Sequence, residues 1–434
     1  MIDTKGDWDM KKRVLSVMIV LVMLVSFSSC EITDHTTVTQ QKRDTGISFS
    51  WWGNDMRSKY TVESIKVFEN KNDVVVRPSY CELSGYKSWL DAKMISDEIP
   101  DVMQINYNWL HEYNAQGYEF YDLESLKDEI QLDNYTRQQL ELGRVNGKLQ
   151  GIPISLNGVN FFYNENTLKK YGIPLPSTWD DIFLAAQKLK KEGVYVLEMG
   201  EKVFWLCCVA YAEQITGKPL FDSSDRMQYT EQEFKIMLEF GKRLLDSGAA
   251  PRPDRFRHTD FFSGETAGLA CWISDAKSYF SGNSGVNAQS VNISLGNLIT
   301  VNKGKSLGWY KKPMALYCMS RDTKEPKKVA KFVDHLLNSE EMAKLQGTEK
   351  GIPLSKSALE VLESRDMLSD LQAVADRKMN SDTSIKVMSW HLENESFFKL
   401  FLSKCYDVTY NGSDPAEKSG EFVKEIRSIE VLFK

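Results

Sequence analysis

Trp51 and Trp52 stand side by side at the end of a short apolar run, ISFSWW, and Gly53, Asn54 and Asp55 follow at once. Neighbouring residues of a strand point to opposite faces, so both indoles cannot enter one core. One of the two needs another use. An indole offers a wide apolar face with a single N–H, and the amide and carboxylate behind it add hydrogen-bonding groups. Signatures for bond-making chemistry are missing. Gly304-Lys305-Ser306 ends like a phosphate-binding loop, but the earlier glycine that such a loop requires is Ile299. His111-Glu112 opens like a zinc-protease helix, yet Ala115 occupies the position four after His111. No G-x-S-x-G elbow occurs, and the five histidines are scattered along the chain. Glycosidase carboxylates carry no local signature, so an extracellular enzyme acting on glycans stays open as an alternative.

Composition narrows the classes further. The chain is 42% hydrophobic, 26% charged and 11% aromatic, an ordinary soluble globule. A net charge of −6 gives no general attraction to nucleic acid, and no Lys/Arg stripe appears. The spacing of Cys81, Cys207, Cys208, Cys271, Cys318 and Cys405 matches no zinc pattern. Cys207 and Cys208 lie in the apolar stretch VFWLCCVAYA and read as core thiols.

The N-terminus points to secretion. Met10-Lys11-Lys12-Arg13 precedes an apolar run from Val14 to Val25 and then Phe27-Ser28-Ser29-Cys30. That order is a basic region, a hydrophobic region and a small-residue cleavage site. About a dozen apolar residues are too few to span a bilayer, which needs roughly 20. The serines before Cys30 resemble a bacterial lipobox, which implies residues 1–30 as a signal and Cys30 as the lipidated first residue of the mature chain. Residues 31–45 are polar, rich in Thr and Gln, and read as a flexible tether.

About 390 residues remain, enough for two domains. Ile47 to Trp52 reads as a strand, Tyr60 to Asn70 as a helix, Asp73 to Pro78 as a strand, Trp89 to Ser96 as a helix and Pro100 to Ile105 as a strand. This alternation implies a parallel sheet with crossover helices. In such sheets ligands sit beyond the carboxyl ends of the strands, where Trp51, Trp52, Asn54 and Asp55 lie after the first strand and Asn106 to Trp109 after the third. A second unit starts near Gly151, with a strand through Val159 to Tyr163 and a helix capped by Ser177 or Thr178. Further helices span Trp205 to Thr216 and Glu231 to Ser247.

Six stretches in order carry a resemblance. IPDVMQI (99–105), GYEFYDLESL (117–126), the segment from Gly147-Lys148 through Phe162-Tyr163-Asn164, GIPLPSTWDD (172–181), FFSGETAGLACW (261–272), and KEPKKVAKFVDHLLNSEEM leading to GIPLSKSAL (324–359) are similar to segments of one family. That family is the extracellular solute-binding proteins of ABC transporters, in the carbohydrate-binding group that includes maltose-binding protein. The sequence departs from the family pattern at Gly268, where a bulky residue is common, and at Gln150, where an aromatic is common.

The resemblance implies an α/β, two-lobed periplasmic-binding-protein-like fold of type II. Each lobe is expected as a mostly parallel sheet flanked by helices, with residues 46–156 plus 302–356 in lobe one and 157–301 plus 357–434 in lobe two. Ligand would sit between the lobes. A sugar ring has a C–H face that lies on an indole and a rim of hydroxyls that needs carboxylates and amides. The expected ligand contacts are therefore Trp51 or Trp52, Asp55, Asn106, Trp109, Asn157, Trp205, Trp272, Asp275 and Trp309, with Trp390 and Tyr163 as weaker candidates. Asp101 is expected to fix its loop. The implied protein is a monomeric lipoprotein on the outer face of the bacterial cytoplasmic membrane that hands a carbohydrate, an oligosaccharide above all, to membrane permease subunits. It uses no cofactor or metal and does no catalysis. A peptide or other non-sugar solute is the alternative within the binding class.

Overall fold

The computed structural model describes residues 46–280 and 291–430. The signal, the lipobox cysteine Cys30 and the tether lie outside those residues.

Two five-stranded sheets organise the chain. The first runs, in order across the sheet, Val76–Cys81, Ile47–Trp52, Val102–Ile105, Leu316–Met319 and Ile152–Pro153. Its first three strands are parallel, joined by the helices Asp55–Asn72 and Leu83–Ile95. The other two strands run antiparallel to their neighbours. In the second sheet Lys386–Val387, Tyr310–Pro313, Leu156–Asn164 and Gly268–Trp272 lie in that order, and Ile293–Leu295 also pairs with Leu156–Asn164. Here only the Tyr310–Pro313 and Lys386–Val387 pair is parallel. The mostly parallel sheet expected of each lobe is thus confined to the βαβαβ start of the chain. The long strand Leu156–Asn164 runs away from the first sheet and Tyr310–Pro313 runs back beside it, and strands of opposite direction pair without a crossover helix.

Each sheet has its own core. Phe49, Trp51, Tyr86, Leu110, Leu316 and Phe332 belong to the first, and Phe161, Trp179, Phe204, Trp205, Trp309 and Phe401 to the second. The chain crosses from first to second sheet after Ile154. It returns after Pro313 rather than at residue 302, because Trp309 packs in the second core and Tyr310–Pro313 pairs with Leu156–Gly158. The last crossing also lies later than expected. The helix Lys356–Ser364 still packs on Glu340–Gln346 and Pro326–Asn338, whereas Leu371–Ser381 packs on the second sheet. Strand pairing and helix packing place these crossings.

Local signals explain the elements nearest the cleft. Asn54 caps the helix Asp55–Asn72 by accepting the Arg57 backbone N–H at 3.0 Å. Thr178 rather than Ser177 caps Trp179–Leu189, in a reciprocal capping box with Asp181. Asp101 accepts hydrogen bonds from Ser48 and Thr323 and so ties the entry of the third strand to its neighbours, rather than fixing the loop after it.

Candidate binding cleft between the sheets

The ends of both sheets open onto one hollow of about 340 Å³. Trp52, Gly53, Asn54, Arg57, Asn106 and Met314 line it from the first body, and Asn157, Lys202, Trp272, Ser274, Asp275, Tyr279, Lys312 and Glu393 from the second. A further hollow of about 260 Å³ adjoins it and shares Lys202, Trp272, Asp275 and Tyr279. Trp272 stands between the two, which makes the site elongated.

Trp51 and Trp52 do point to opposite faces of the strand, but both are buried in the first core, because helices cover the sheet on either side. Trp51 is fully enclosed, stacked between Phe49 and Tyr80 at 4.8 and 4.7 Å between ring centroids. Trp52 turns to the opposite face, against Tyr86 and Trp109 at 5.5 and 5.4 Å, and keeps 5% of its surface at the cleft wall. Of the expected contacts, the cleft brings together Trp52, Asn106, Asn157, Trp272 and Asp275.

The others are placed elsewhere. Asp55 is exposed in the first turn of its helix, where it faces solvent and suits the positive helix end. Trp109 is buried behind Trp52 rather than in front of it. Trp205 is fully enclosed, its indole N–H donating to the Leu392 carbonyl at 3.1 Å, and Trp309 donates likewise to Ile299 at 2.8 Å. Tyr163 is a core residue beneath Gly268, where a Cβ would come within 2.8 Å of its ring, so a bulky residue there is sterically barred. Trp390 lies parallel to His111 and against His391, where it joins the first body to the second. Each of these tryptophans sits beside a strand end or turn in sequence, but the covering helix or loop closes over it.

The cleft also holds charges that sequence reading did not single out. Lys312 Nζ lies 2.8 Å from Glu393 Oε2, donates to Asn106 Oδ1 at 3.2 Å and stands 4.9 Å from the centre of the Trp272 ring. Lys202 reaches the other Glu393 oxygen at 3.3 Å. Burial alone would raise the Glu393 carboxyl, but the two lysines overcome it and hold the group below the ordinary carboxylate value. For Asp275 burial prevails over the charges of Arg57, Lys312 and Lys202, and its carboxyl is pushed up. Arg57 donates through Nη2 to the carbonyls of Ser274, at 3.1 Å, and Glu349, at 2.9 Å, so it spans the two bodies. It lies against Gly53, where a Cβ would meet the Arg57 Cβ at 2.7 Å. That glycine beside a helix start is the one sequence signal that could have marked Arg57. Asn157 is committed to Ser274, accepting its N–H at 3.1 Å and donating to its hydroxyl at 2.9 Å, so it shapes the wall.

Among the described residues no group of three or more His, Cys, Asp and Glu is arranged to hold a metal ion, and no helix is long and apolar enough to cross a membrane.

Comparison with known proteins fits this architecture. Residues 63–374 match the family model of bacterial extracellular solute-binding proteins. An uncharacterised ABC transporter extracellular-binding protein of Pyrococcus horikoshii is 26% identical over 209 residues, 45% of this chain and 47% of that protein. The arabinooligosaccharide-binding protein of Bacillus subtilis is 23% identical over 265 residues, 58% of each. The chain thus spans about half the length of the curated relatives it matches. Two solved structures superpose on 90% of this chain over their whole length. One is a periplasmic solute-binding protein of Pectobacterium atrosepticum, at 26% identity and a TM-score of 0.84. The other is a periplasmic oligogalacturonide-binding protein of Yersinia enterocolitica in complex with saturated digalacturonic acid, at 25% and 0.79. With two sheets and a family match over most of its length, the chain belongs to the bacterial extracellular solute-binding proteins.

Proposed function

We propose that this protein captures an oligosaccharide in the cleft between its lobes and presents it to the membrane subunits of an ABC importer. The observation that carries this reading is the placement of Trp52 and Trp272 on opposite bodies of one elongated hollow, with amides and charged groups around them. Indoles supply stacking faces for the C–H side of a sugar, and the polar groups answer its hydroxyls. A site with two adjoining hollows suits more than one ring. The sugar-binding relatives support the same class of ligand. Lobe one then comprises residues 46–155 and 314–364, and lobe two 156–280, 291–313 and 371–430. Ligand favours the closed form because only there do both lobes touch it.

The protein does no chemistry on its ligand, needs no cofactor and works as a monomer held to the outer face of the membrane through Cys30. A thermal-shift screen against a glycan library, followed by calorimetry, tests the reading. Saccharides should raise the melting temperature and bind in a 1:1 ratio, and mass spectrometry should return them unchanged. A response to peptides alone, or recovery of a cleaved saccharide, would contradict it. Cys30→Ala should release the protein from the membrane fraction, and unchanged attachment and mature size would remove the anchor.

A further inference from the structure

The charges of the cleft are unevenly answered. Arg57 is buried, its Nη2 is committed to two carbonyls, and its Nε is enclosed without a hydrogen-bond partner. No carboxylate among the described residues forms an ion pair with it. Lys202 and Lys312 share a single carboxylate, Glu393. These three cations of the cleft wall thus have one ion-paired, enclosed carboxylate among them. Asp275 lines the same wall without an ion pair among the described residues, accepting from Ser274 Oγ at 3.5 Å, and burial raises its carboxyl above the ordinary value against the pull of Arg57, Lys312 and Lys202. Glu82 stands at the exposed rim, where water screens it.

A neutral sugar would leave this surplus of positive charge enclosed and uncompensated when the lobes close, which is costly in a low-dielectric cleft. A carboxylate accepts a charge-assisted N–H···O bond from a guanidinium N–H that the protein leaves free, and lysines add point charges beside it. We infer that the ligand is an acidic saccharide, with a carboxylate on its ring, and that Arg57 receives this carboxylate with Lys312 and Lys202 alongside. The inference rests on the carbohydrate reading above and goes beyond it in naming the class of sugar. Trp272 then supplies the stacking face next to the charge, already approached on one side by Lys312.

Calorimetry on the mature chain tests this with four probes: di- and trigalacturonate, their methyl esters, neutral arabinotriose, and a sulfated disaccharide. The esters keep every ring and lose only the charge. The acids should bind at least about 10- to 100-fold more tightly than the esters, with the gap narrowing as salt rises. Arg57→Gln should lower the ratio of acid to ester affinity toward one, whatever it does to binding of both, with its melt checked for folding. Should that variant fail to fold, the acid-to-ester ratio on the unaltered protein decides alone. Equal or tighter binding of esters or arabinotriose would overturn the inference and leave the carbohydrate reading standing. Tighter binding of the sulfated sugar than of galacturonate would overturn the carboxylate assignment. Binding of no saccharide of any class would overturn both.

Discussion

Two hollows of similar size flank the crossing strands, and their linings differ in kind. The one behind them, about 380 Å³, is walled by leucines and Ile352 together with exposed or partly exposed polar groups, among them Gln138, Gln139, Glu363, Arg377 and Asn380. The one in front, about 340 Å³, is walled by two indoles and by enclosed charges that the protein itself does not fully pair. Volume alone would favour the rear. Enclosed charge favours the front, because a buried guanidinium with a free N–H is costlier to leave without a partner than a neutral amide such as Asn380 in the rear. A site for a polar, hydroxyl-rich ligand is recognised by what it lacks.

The sharpest test of that contrast uses the paired tryptophans. Trp51→Ala removes a fully enclosed ring and should lower folding stability by about 3 to 5 kcal/mol, as seen in a chemical melt, with ligand affinity of the folded fraction unchanged. Trp272→Ala, on the cleft wall, should instead cost about 2 to 4 kcal/mol of binding with a small change in the melt. Trp52→Ala should show both losses, since its ring packs on Trp109 and also reaches the cleft. If Trp51→Ala abolished binding without destabilising the fold, the division between core and cleft would be wrong.

Next comes the enclosed ion pair. Glu393→Gln leaves Lys312 buried without its anion and should destabilise the protein by about 3 kcal/mol, whereas replacing Glu393 and Lys312 together by leucine and methionine should recover most of that. A double variant no more stable than the single one would show that the pair is not the cause.

Acid should act in the same direction through different groups. Burial lowers His111 and His391 to about 4, below the ordinary histidine value of about 6.5, so the unfolded chain takes up protons first as pH falls. Stability should therefore decline from about pH 6.5 toward 4. The depressed Glu393 carboxyl adds stability that is present above the unfolded value of about 4.3 and is lost as pH falls through its own lower value. His391→Phe should flatten the part of the curve between pH 6.5 and 4, and an unchanged slope would assign it to other groups. The smallest effect is expected behind the crossing strands: Val387→Ser, at the partly exposed rim of the rear hollow, should leave affinity within a factor of two.

Much of this was legible in the sequence, and the limits have physical causes. The first strand and the cap near Thr178 follow from local patterns, and the structure has both. Alternation on a strand set Trp51 and Trp52 on opposite faces but could not say which reached the cleft, because that depends on Tyr80, 29 residues after Trp51 in the sequence and beside it in the sheet. Trp205 and Trp309 looked available because a strand end or turn is near them, while the helices Glu395–Tyr410 and Glu201–Thr216 that enclose them come from other parts of the chain. Lys202, Lys312 and Glu393 are single charged residues in three unrelated segments, and only folding brings them within ion-pair distance.

The account stands on a sugar held between Trp52 and Trp272. Calorimetric titration of the saccharide that most stabilises the mature protein, into the unaltered chain and into Trp272→Ala, tests it most directly. The expected result is 1:1 binding to the first and affinity weaker by roughly 30- to 1,000-fold in the second, with both proteins melting alike. Equal affinity for the two would place the ligand elsewhere and contradict the account.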